Sequence, residues 1–280
     1  MEIYWLWVIS NAILGLIIGS FLNVVVLRRN TGKSLAGRSG CLTCGKTLYW
    51  YELVPVLSWL VQHGRCRGCE SRISAQYPFV EFATCVVFAI LAAAMVPIVL
   101  HIFGLALLAT YIAIIAYDMN HTIIPDIWSY VAAILAIVAA YLSIPPELMG
   151  VQAAVSIAIA GPMVALPLYL LWYFSKGRAM GLGDAKLALS IGFLVGILDG
   201  LSALMLAFVI GAIISVFVVI VLPSIRLWLA MRGITRLGRP LTAGTMDYEV
   251  PFGPFLVVGV LIVWFANLFG IYIPFFVFPV

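Results

Sequence analysis

Residues 82–117 form a run of 36 positions without a single Asp, Glu, Lys or Arg. A transmembrane helix needs about 20 apolar residues, so this run is too long for one crossing of a hydrocarbon core about 30 Å thick. Pro97 lies near its centre and predicts a hairpin between two spans. The chain is 65% hydrophobic and only 9% charged, against roughly 25% charged residues in soluble domains. The sequence therefore predicts an all-α polytopic membrane protein.

Further apolar runs raise the expected number of transmembrane helices to about eight. The first run is too long for the apolar core of a signal peptide and follows no basic residue, so we expect a retained span. The sixth has only 15 residues, about 23 Å, which would draw Asp184 at its start toward the apolar layer. Outside the hairpin, the spans are expected at residues 3–27, 127–143, 151–174, 184–198, 201–222 and 251–273, with turns at Pro145-Pro146-Glu147 and Asp199-Gly200.

The basic residues lie on one side of this topology. All 15 Lys and Arg fall in residues 28–78, 175–186 and 223–250, in groups of eight, three and four. The opposite side holds only acidic charges, namely Glu2, Glu147 and Asp199. The positive-inside rule then predicts that the basic loops are cytoplasmic and the N-terminus periplasmic. Basic residues clustered beside spans do not indicate nucleic-acid binding, so we expect the lipid bilayer as a partner and no nucleic acid.

We divide the chain into a first transmembrane helix (1–27), a polar insert (28–78) and a seven-helix membrane domain (79–280). The insert holds four of the five cysteines in two hooks, Cys41-x-x-Cys44 and Cys66-x-x-Cys69, separated by 21 residues. Two such hooks are typical of a structural zinc site with four thiolates. A pair of disulfides is the alternative, which a cytoplasmic loop disfavours because thiols there stay reduced. A metal would also stabilise a segment of about 50 residues with little core of its own.

The middle of the insert is apolar, with Trp50, Val54, Val56, Leu57, Trp59 and Leu60 in 11 residues. These side chains can pack as a small core, or they can lie on the membrane surface. The sequence leaves both alternatives open.

Met180-Gly181-Leu182-Gly183-Asp184 places a carboxylate behind two glycines at the start of an apolar segment. By itself the motif predicts a glycine-rich turn in which Asp184 caps the next helix. The topology puts Asp118, at the end of the third span, on the same face of the membrane. Two carboxylates that share one water can hydrolyse a peptide bond, one as base and one as acid, and they titrate jointly. Asp118 and Asp184 are thus candidate catalytic residues, with Gly181 and Gly183 in the active-site loop.

Asp126 competes with Asp118 for the partner role, although it follows Ile124-Pro125 and can instead cap the fourth span. We interpret His121 as a solvated bystander, with proton handling as the alternative because histidine titrates near neutral pH. Membrane carboxylates also mark transport routes, so a zinc-tethered membrane transport or assembly protein is a second hypothesis. The apolar centres of the spans favour hydrolysis over transport.

These motifs together resemble the type IV prepilin peptidase/N-methyltransferase family, the GxGD-type intramembrane aspartic proteases of type IV pili and type II secretion. The resemblance covers most of the chain. It rests on Gly19-Ser20-Phe21-Leu22-Asn23-Val24-Val25 with Arg28, the two cysteine hooks, Ile73-Ser74-x-x-Tyr77-Pro78-x-Val80-Glu81, Asp118 with Ile124-Pro125-Asp126, Lys176-Gly177-Arg178-Ala179-Met180-Gly181-x-Gly183-Asp184-x-Lys186-Leu187, and Pro251-Phe252-Gly253-Pro254-Phe255. The first hook departs from the family by reading Cys-Leu-Thr-Cys where Cys-Pro-x-Cys is usual, which removes no ligand.

The resemblance implies a bifunctional enzyme of the bacterial inner membrane, with Asp118 and Asp184 as the catalytic pair. The implied substrates are prepilins or pseudopilins, whose short basic leader is cut after a glycine on the cytoplasmic side. The new N-terminus would then be methylated from S-adenosylmethionine. No glycine-rich nucleotide loop after a strand locates the donor site. Glu52 and Glu81 could take the proton from the incoming amine, but we interpret both as surface or helix-start residues. A peptidase without methyltransferase activity is the remaining alternative.

Overall fold

The computed structural model describes residues 2–29, 31, 34–35, 37–217 and 251–271. Within these ranges the chain is helical, with two isolated β-bridges and no strand, which confirms the all-α prediction. The α-helices are α1 (Glu2–Arg28), α2 (Leu57–Val61), α3 (Gln76–Ala93), α4 (Ile98–His121), α5 (Asp126–Leu142), α6 (Val151–Ser175), α7 (Leu182–Val195), α8 (Ile197–Val216) and α9 (Gly253–Leu268). The predicted basic loop at 223–250 and the far ends of the seventh and eighth spans lie outside the described residues.

Five of these helices, namely α1, α3, α4, α6 and α8, are long and apolar enough to cross a membrane. The apolar helices α5 and α9 have 17 and 16 residues, and α7 has 14. At 1.5 Å per residue, these three reach only about 21–26 Å. Each of the eight expected spans thus corresponds to a helix in the described part of the chain, and five of them satisfy the length criterion.

The turn between α7 and α8 differs from the prediction of a turn at Asp199-Gly200. It lies at Gly196, whose φ of 85° is readily adopted only by glycine. As a result, Asp199 belongs to the first turn of α8, where the helix dipole favours a negative side chain. Its Oδ2 accepts a hydrogen bond of 2.8 Å from Asn267 Nδ2 of α9.

Helix α1 packs along α3 through small residues. A Cβ added at Gly15 would lie 2.7 Å from the Cys85 Cα, and one added at Gly19 would lie 2.7 Å from the Glu81 Cα. Side chains at these positions would therefore force the two helices apart, as expected for small residues in membrane helix interfaces. Asn23 adds a polar contact by donating to the Tyr77 carbonyl at 3.1 Å.

Helices α4, α5, α7 and α9 form the part of the bundle that positions the candidate site. Helix α5 packs against both α4 and α7, and α9 packs against α4, α7 and α8. Inside the bundle the hydroxyls of Tyr111 on α4 and Ser190 on α7 form a buried hydrogen bond of 3.0 Å. Asp118 lies seven residues after Tyr111, and Asp184 lies six residues before Ser190, so both are about 10 Å from this bond. The two helices thereby place the two carboxylates at the same level along the axis of the bundle.

Candidate active site and metal site

Asp118 lies in the last turn of α4 and is buried. Its Oδ2 accepts a hydrogen bond of 3.1 Å from the backbone N–H of Gly253, the first residue of α9. A Cβ at Gly253 would lie 2.6 Å from that oxygen. Only glycine therefore lets the N-terminus of α9, which favours negative charge, approach the carboxylate this closely.

Asp184 is the third residue of α7, and Gly181 is the N-cap. A Cβ added at Gly181 would lie 3.5 Å from Asp184 Oδ2, so the carboxylate lies close to the N-cap residue. Because Gly181 and not Asp184 is the N-cap residue, Asp184 does not occupy the capping position that the motif predicted. An ionised carboxylate at this position can accept hydrogen bonds from a water or a substrate.

Ile124, in the loop between α4 and α5, connects the surroundings of the two carboxylates. A Cβ added at Gly183 would lie 3.1 Å from the Ile124 Cβ, and one added at Gly253 would lie 3.1 Å from its Cδ1. The same side chain thus packs beside both aspartates. Gly253 binds Asp118 and Gly183 precedes Asp184, so these contacts place the two aspartates near each other at one end of the bundle.

Asp126 is engaged elsewhere. It is the first residue of α5, so the N-cap position expected for it is occupied by Pro125. Instead, its Oδ1 forms an ion pair with Lys186 Nζ on α7, at a distance of 2.7 Å. The side chain of Asp126 is mostly exposed, in contrast to the buried Asp118. Asp126 therefore pairs with a lysine and not with Asp118 or Asp184.

The remaining polar candidates have local partners. The exposed His121 ring lies 4.4 Å from the Tyr117 ring. Glu52 and Glu81 are both buried, so neither is a surface residue. Glu52 has the alternative helix-start role, because its side chain accepts the N–H of Tyr49, the N-cap of a short 3-10 helix at Trp50–Glu52. Glu52 accepts a hydrogen bond of 2.9 Å from the Tyr49 N–H and one of 3.3 Å from Lys46 Nζ. The bond from Tyr49 makes the larger contribution, and together the two contacts hold the pKa of Glu52 below its usual value.

Sequence reasoning missed Gly253, Tyr111 and Ser190 as residues that support the site. Gly253 lies in the Pro-Phe-Gly-Pro motif at the start of α9, and a glycine at the first position of a helix was an available signal. Nothing in the sequence paired Tyr111 with Ser190.

A cavity of about 590 Å³ opens at the other end of the bundle, between α5, α6 and the α7–α8 turn, and none of the candidate site residues lines it.

The four hook cysteines converge as predicted. Their sulfur atoms all lie within 4.8 Å of one another, and the Cys41 and Cys69 sulfurs are 3.8 Å apart. A tetrahedral zinc with Zn–S bonds of about 2.3 Å separates its sulfurs by about 3.8 Å, whereas a disulfide would require about 2 Å. The cluster can therefore hold a zinc ion, and the separation of the Cys41 and Cys69 sulfurs is that of two zinc ligands and not that of a disulfide.

The two hooks have similar backbone geometry. A β-bridge joins Gly40 to Thr47 around the first hook, and another joins Arg65 to Arg72 around the second. Backbone N–H groups of Cys44 and Thr43 lower the pKa of the Cys41 thiol to about 5. Although the Lys46 amide favours the Cys44 thiolate, side-chain bonds with Cys41 and Cys69 raise the Cys44 pKa to about 11. A zinc ion between the four sulfurs would favour thiolates over thiols.

The fold and the paired carboxylates define a polytopic helical membrane protein that carries the residues of a candidate aspartic protease. The chain matches the family described as Bacterial Peptidase A24 N-terminal domain over residues 13–95 and the Type IV leader peptidase family over residues 104–216. It belongs to the type IV leader peptidase family, and it is therefore an enzyme of that class.

Relatives of this chain carry the name prepilin leader peptidase/N-methyltransferase, and three of them show the range of similarity. The protein of Burkholderia pseudomallei strain 1026b is 31% identical over 88% of this chain and 81% of its own length. The protein of Aeromonas salmonicida strain A449 is 26% identical over 95% of this chain and 92% of its own length. That of Myxococcus xanthus strain DK1622 is 32% identical over 74% of this chain, and the alignment spans only 62% of that relative. No solved structure gave a significant match.

Proposed function

We propose that this chain is a bifunctional prepilin peptidase of the bacterial inner membrane. It cleaves the basic leader from prepilins or type II secretion pseudopilins after a glycine, and then methylates the new N-terminus. The observation that carries the proposal is the packing of Ile124 against Gly253, which binds Asp118, and against Gly183, which precedes Asp184, in a chain of the leader peptidase family. The one-sided distribution of Lys and Arg supports a cytoplasmic insert and a periplasmic N-terminus.

In the proposed mechanism, Asp118 and Asp184 act on one water as a jointly titrating pair. The ionised member takes a proton from the water while the resulting hydroxide attacks the scissile carbonyl carbon. The protonated member first polarises the carbonyl oxygen, and a proton is then delivered to the leaving nitrogen as the C–N bond breaks. The Gly253 amide holds Asp118, so this side chain does not have to be ordered during the reaction.

Zinc, when bound to the four cysteines, would cross-link the two hooks. Four thiolates leave no open position for water, so the metal would stabilise the insert and would take no part in hydrolysis. For the methyl donor, the described residues contain no strand followed by a glycine-rich loop. We therefore assign no residues to S-adenosylmethionine and derive no step through it.

The test is incubation of the purified full-length enzyme with a prepilin, with and without S-adenosylmethionine, followed by intact-mass analysis. We expect loss of the leader in both reactions and one added methyl group only with the donor. Asp118→Asn and Asp184→Asn should each abolish cleavage while the protein still inserts into the membrane. Normal processing by either variant would remove that residue from the mechanism, and cleavage without any methylation would leave a peptidase alone.

A further inference from the structure

The insert displays an apolar face that its own residues do not cover. Leu57, Leu60 and Val61 lie on one side of α2 and are 61%, 54% and 64% exposed. Trp50, in the preceding turn, is 79% exposed. These four residues, which we call the insert face, therefore do not form a domain core. Trp59, also on α2, is instead partly buried and donates from Nε1 to the Ile73 carbonyl at 3.2 Å.

A buried glutamate of the membrane domain holds the start of this face. Glu81 of α3 accepts the Val56 N–H at 2.7 Å, immediately before α2. Val56 has a φ of 60° and a ψ of −52°, and the Leu57 N–H bonds to the Pro55 carbonyl at 2.6 Å. This geometry is a γ-turn, which is strained for a β-branched residue and persists only where the surroundings fix it. The bond from Val56 to Glu81 supplies that restraint.

Glu81 also sets the height of the insert face relative to the bilayer. It is the sixth residue of α3, about 8 Å from the start of a helix that can span the membrane. Phe79 and Phe82, on either side of it, are both more than half exposed, as expected of side chains that contact lipid. The insert face therefore begins at the boundary between water and the acyl chains.

Cations accompany the aromatic residues around the face. The Arg67 guanidinium lies 5.4 Å from the centre of the Tyr51 ring, and Lys46 Nζ lies 5.4 Å from that of Tyr49. Arg65 and Arg67 are exposed. Exposed apolar residues, Trp or Tyr and basic side chains are the combination found in segments that bind membrane interfaces, where anionic headgroups attract the basic groups.

We propose that the insert face is an interfacial anchor that lies in the headgroup layer of the bilayer, with anionic lipid as its partner. The face extends the lipid-contacting surface of α3 onto the insert, and the neighbouring charges complement those of the headgroups. The anchor holds the cysteine hooks close to the membrane surface. The proposal does not depend on peptidase activity.

The test uses the full-length protein in nanodiscs of phosphatidylethanolamine and phosphatidylglycerol, with lipids brominated close to the headgroup. The difference in tryptophan emission between the parent protein and Trp50→Phe isolates Trp50. We expect the brominated lipids to quench most of this emission. Trp59→Phe is the matched control, because the Trp59 indole is half-buried and donates to the Ile73 carbonyl. The quenching of Trp50 in the Trp59→Phe protein should equal that in the parent protein. Equal Trp50 emission in brominated and plain nanodiscs would overturn the proposal.

A second variant, in which Trp50 is unchanged and two leucines of the insert face are replaced, tests the proposal independently. Leu57→Ser combined with Leu60→Ser should reduce the quenching of total tryptophan emission while the zinc content of the protein stays the same. Replacing phosphatidylglycerol by phosphatidylcholine should also reduce the quenching, and no change would contradict the anionic-lipid assignment. If lipid leaves Trp50 open to a soluble quencher and only added prepilin protects it, the face binds substrate and the proposal is wrong.

Discussion

The contact between Asp118 and Gly253 shows how a single missing side chain can set the position of a carboxylate. A helix N-terminus reaches the aspartate because no Cβ separates the Gly253 N–H from the Asp118 oxygen. The two residues are 135 positions apart in the chain. A substitution at the glycine should therefore act on the aspartate, although the glycine has no chemistry of its own.

We expect Gly253→Ala to lower prepilin cleavage by about tenfold or more. The added Cβ would lie 2.6 Å from Asp118 Oδ2, and crowding of this kind typically costs about 1–3 kcal/mol, where 1.4 kcal/mol is a tenfold change. Single-turnover cleavage rates in detergent would measure the loss. Gly150→Ala is the matched control, because Gly150 is extended and nothing lies within 4 Å of an added Cβ. Equal rates for both variants would show that α9 does not position Asp118.

Asp126→Asn should retain most of the cleavage activity, in contrast to Asp118→Asn. The ion pair of Asp126 with Lys186 is partly exposed to water, and such pairs contribute at most about 1 kcal/mol. The expected loss is therefore less than about fivefold. The comparison requires both variants at equal expression in the same prepilin assay. A complete loss in Asp126→Asn, with normal cleavage by Asp118→Asn, would reverse the assignment of the pair.

At the level of helices, the sequence predicted the two aspartates but not what lies between them. Charge-free runs located Asp118 and Asp184 at span ends, because burying a charge in the bilayer is costly. Pairing of Tyr111 with Ser190 could not be predicted, since a membrane helix is apolar on all sides and its pattern does not reveal which face meets which neighbour. The turn was predicted at Asp199-Gly200 and not at Gly196, because an Asp-Gly pair is itself a strong turn sequence. Only the packed structure distinguishes the two.

The Tyr111–Ser190 hydrogen bond should link α4 and α7 energetically. We expect Tyr111→Phe and Ser190→Ala each to lower the stability of the bundle by about 0.5–2 kcal/mol, the range of buried hydrogen bonds in membrane proteins. The double variant should lose less than the sum of the two, because both remove the same bond. Unfolding in mixed detergent micelles, followed by circular dichroism, measures the three values. Strict additivity would show that the bond contributes no coupling.

At the scale of the whole molecule, the sequence predicted the division into insert and membrane domain, and the domain boundaries remain predictions. Hook spacing was sufficient to predict the four-cysteine cluster, because metal ligands must recur at short intervals. The attachment of the insert to the bundle was not predictable. It runs through Glu81 and a γ-turn at Val56, and valine is among the residues least expected at a positive φ.

Loss of zinc should unfold the insert and leave the membrane helices folded. The insert contains only short helical segments, and the described part of it has few buried apolar residues besides Cys66, so metal binding would supply much of its folding free energy. We expect one zinc per chain by elemental analysis, and we expect that Cys69→Ser or a strong chelator removes it. Trypsin should then cut at Arg65 and Arg67 many times faster, while helicity measured by circular dichroism falls only slightly. Cys85→Ser is the matched control, because Cys85 lies on α3, outside the cluster, and should leave metal content and trypsin resistance unchanged. A metal-free protein whose insert resists trypsin as well as the parent would show that the four cysteines do not hold this segment together.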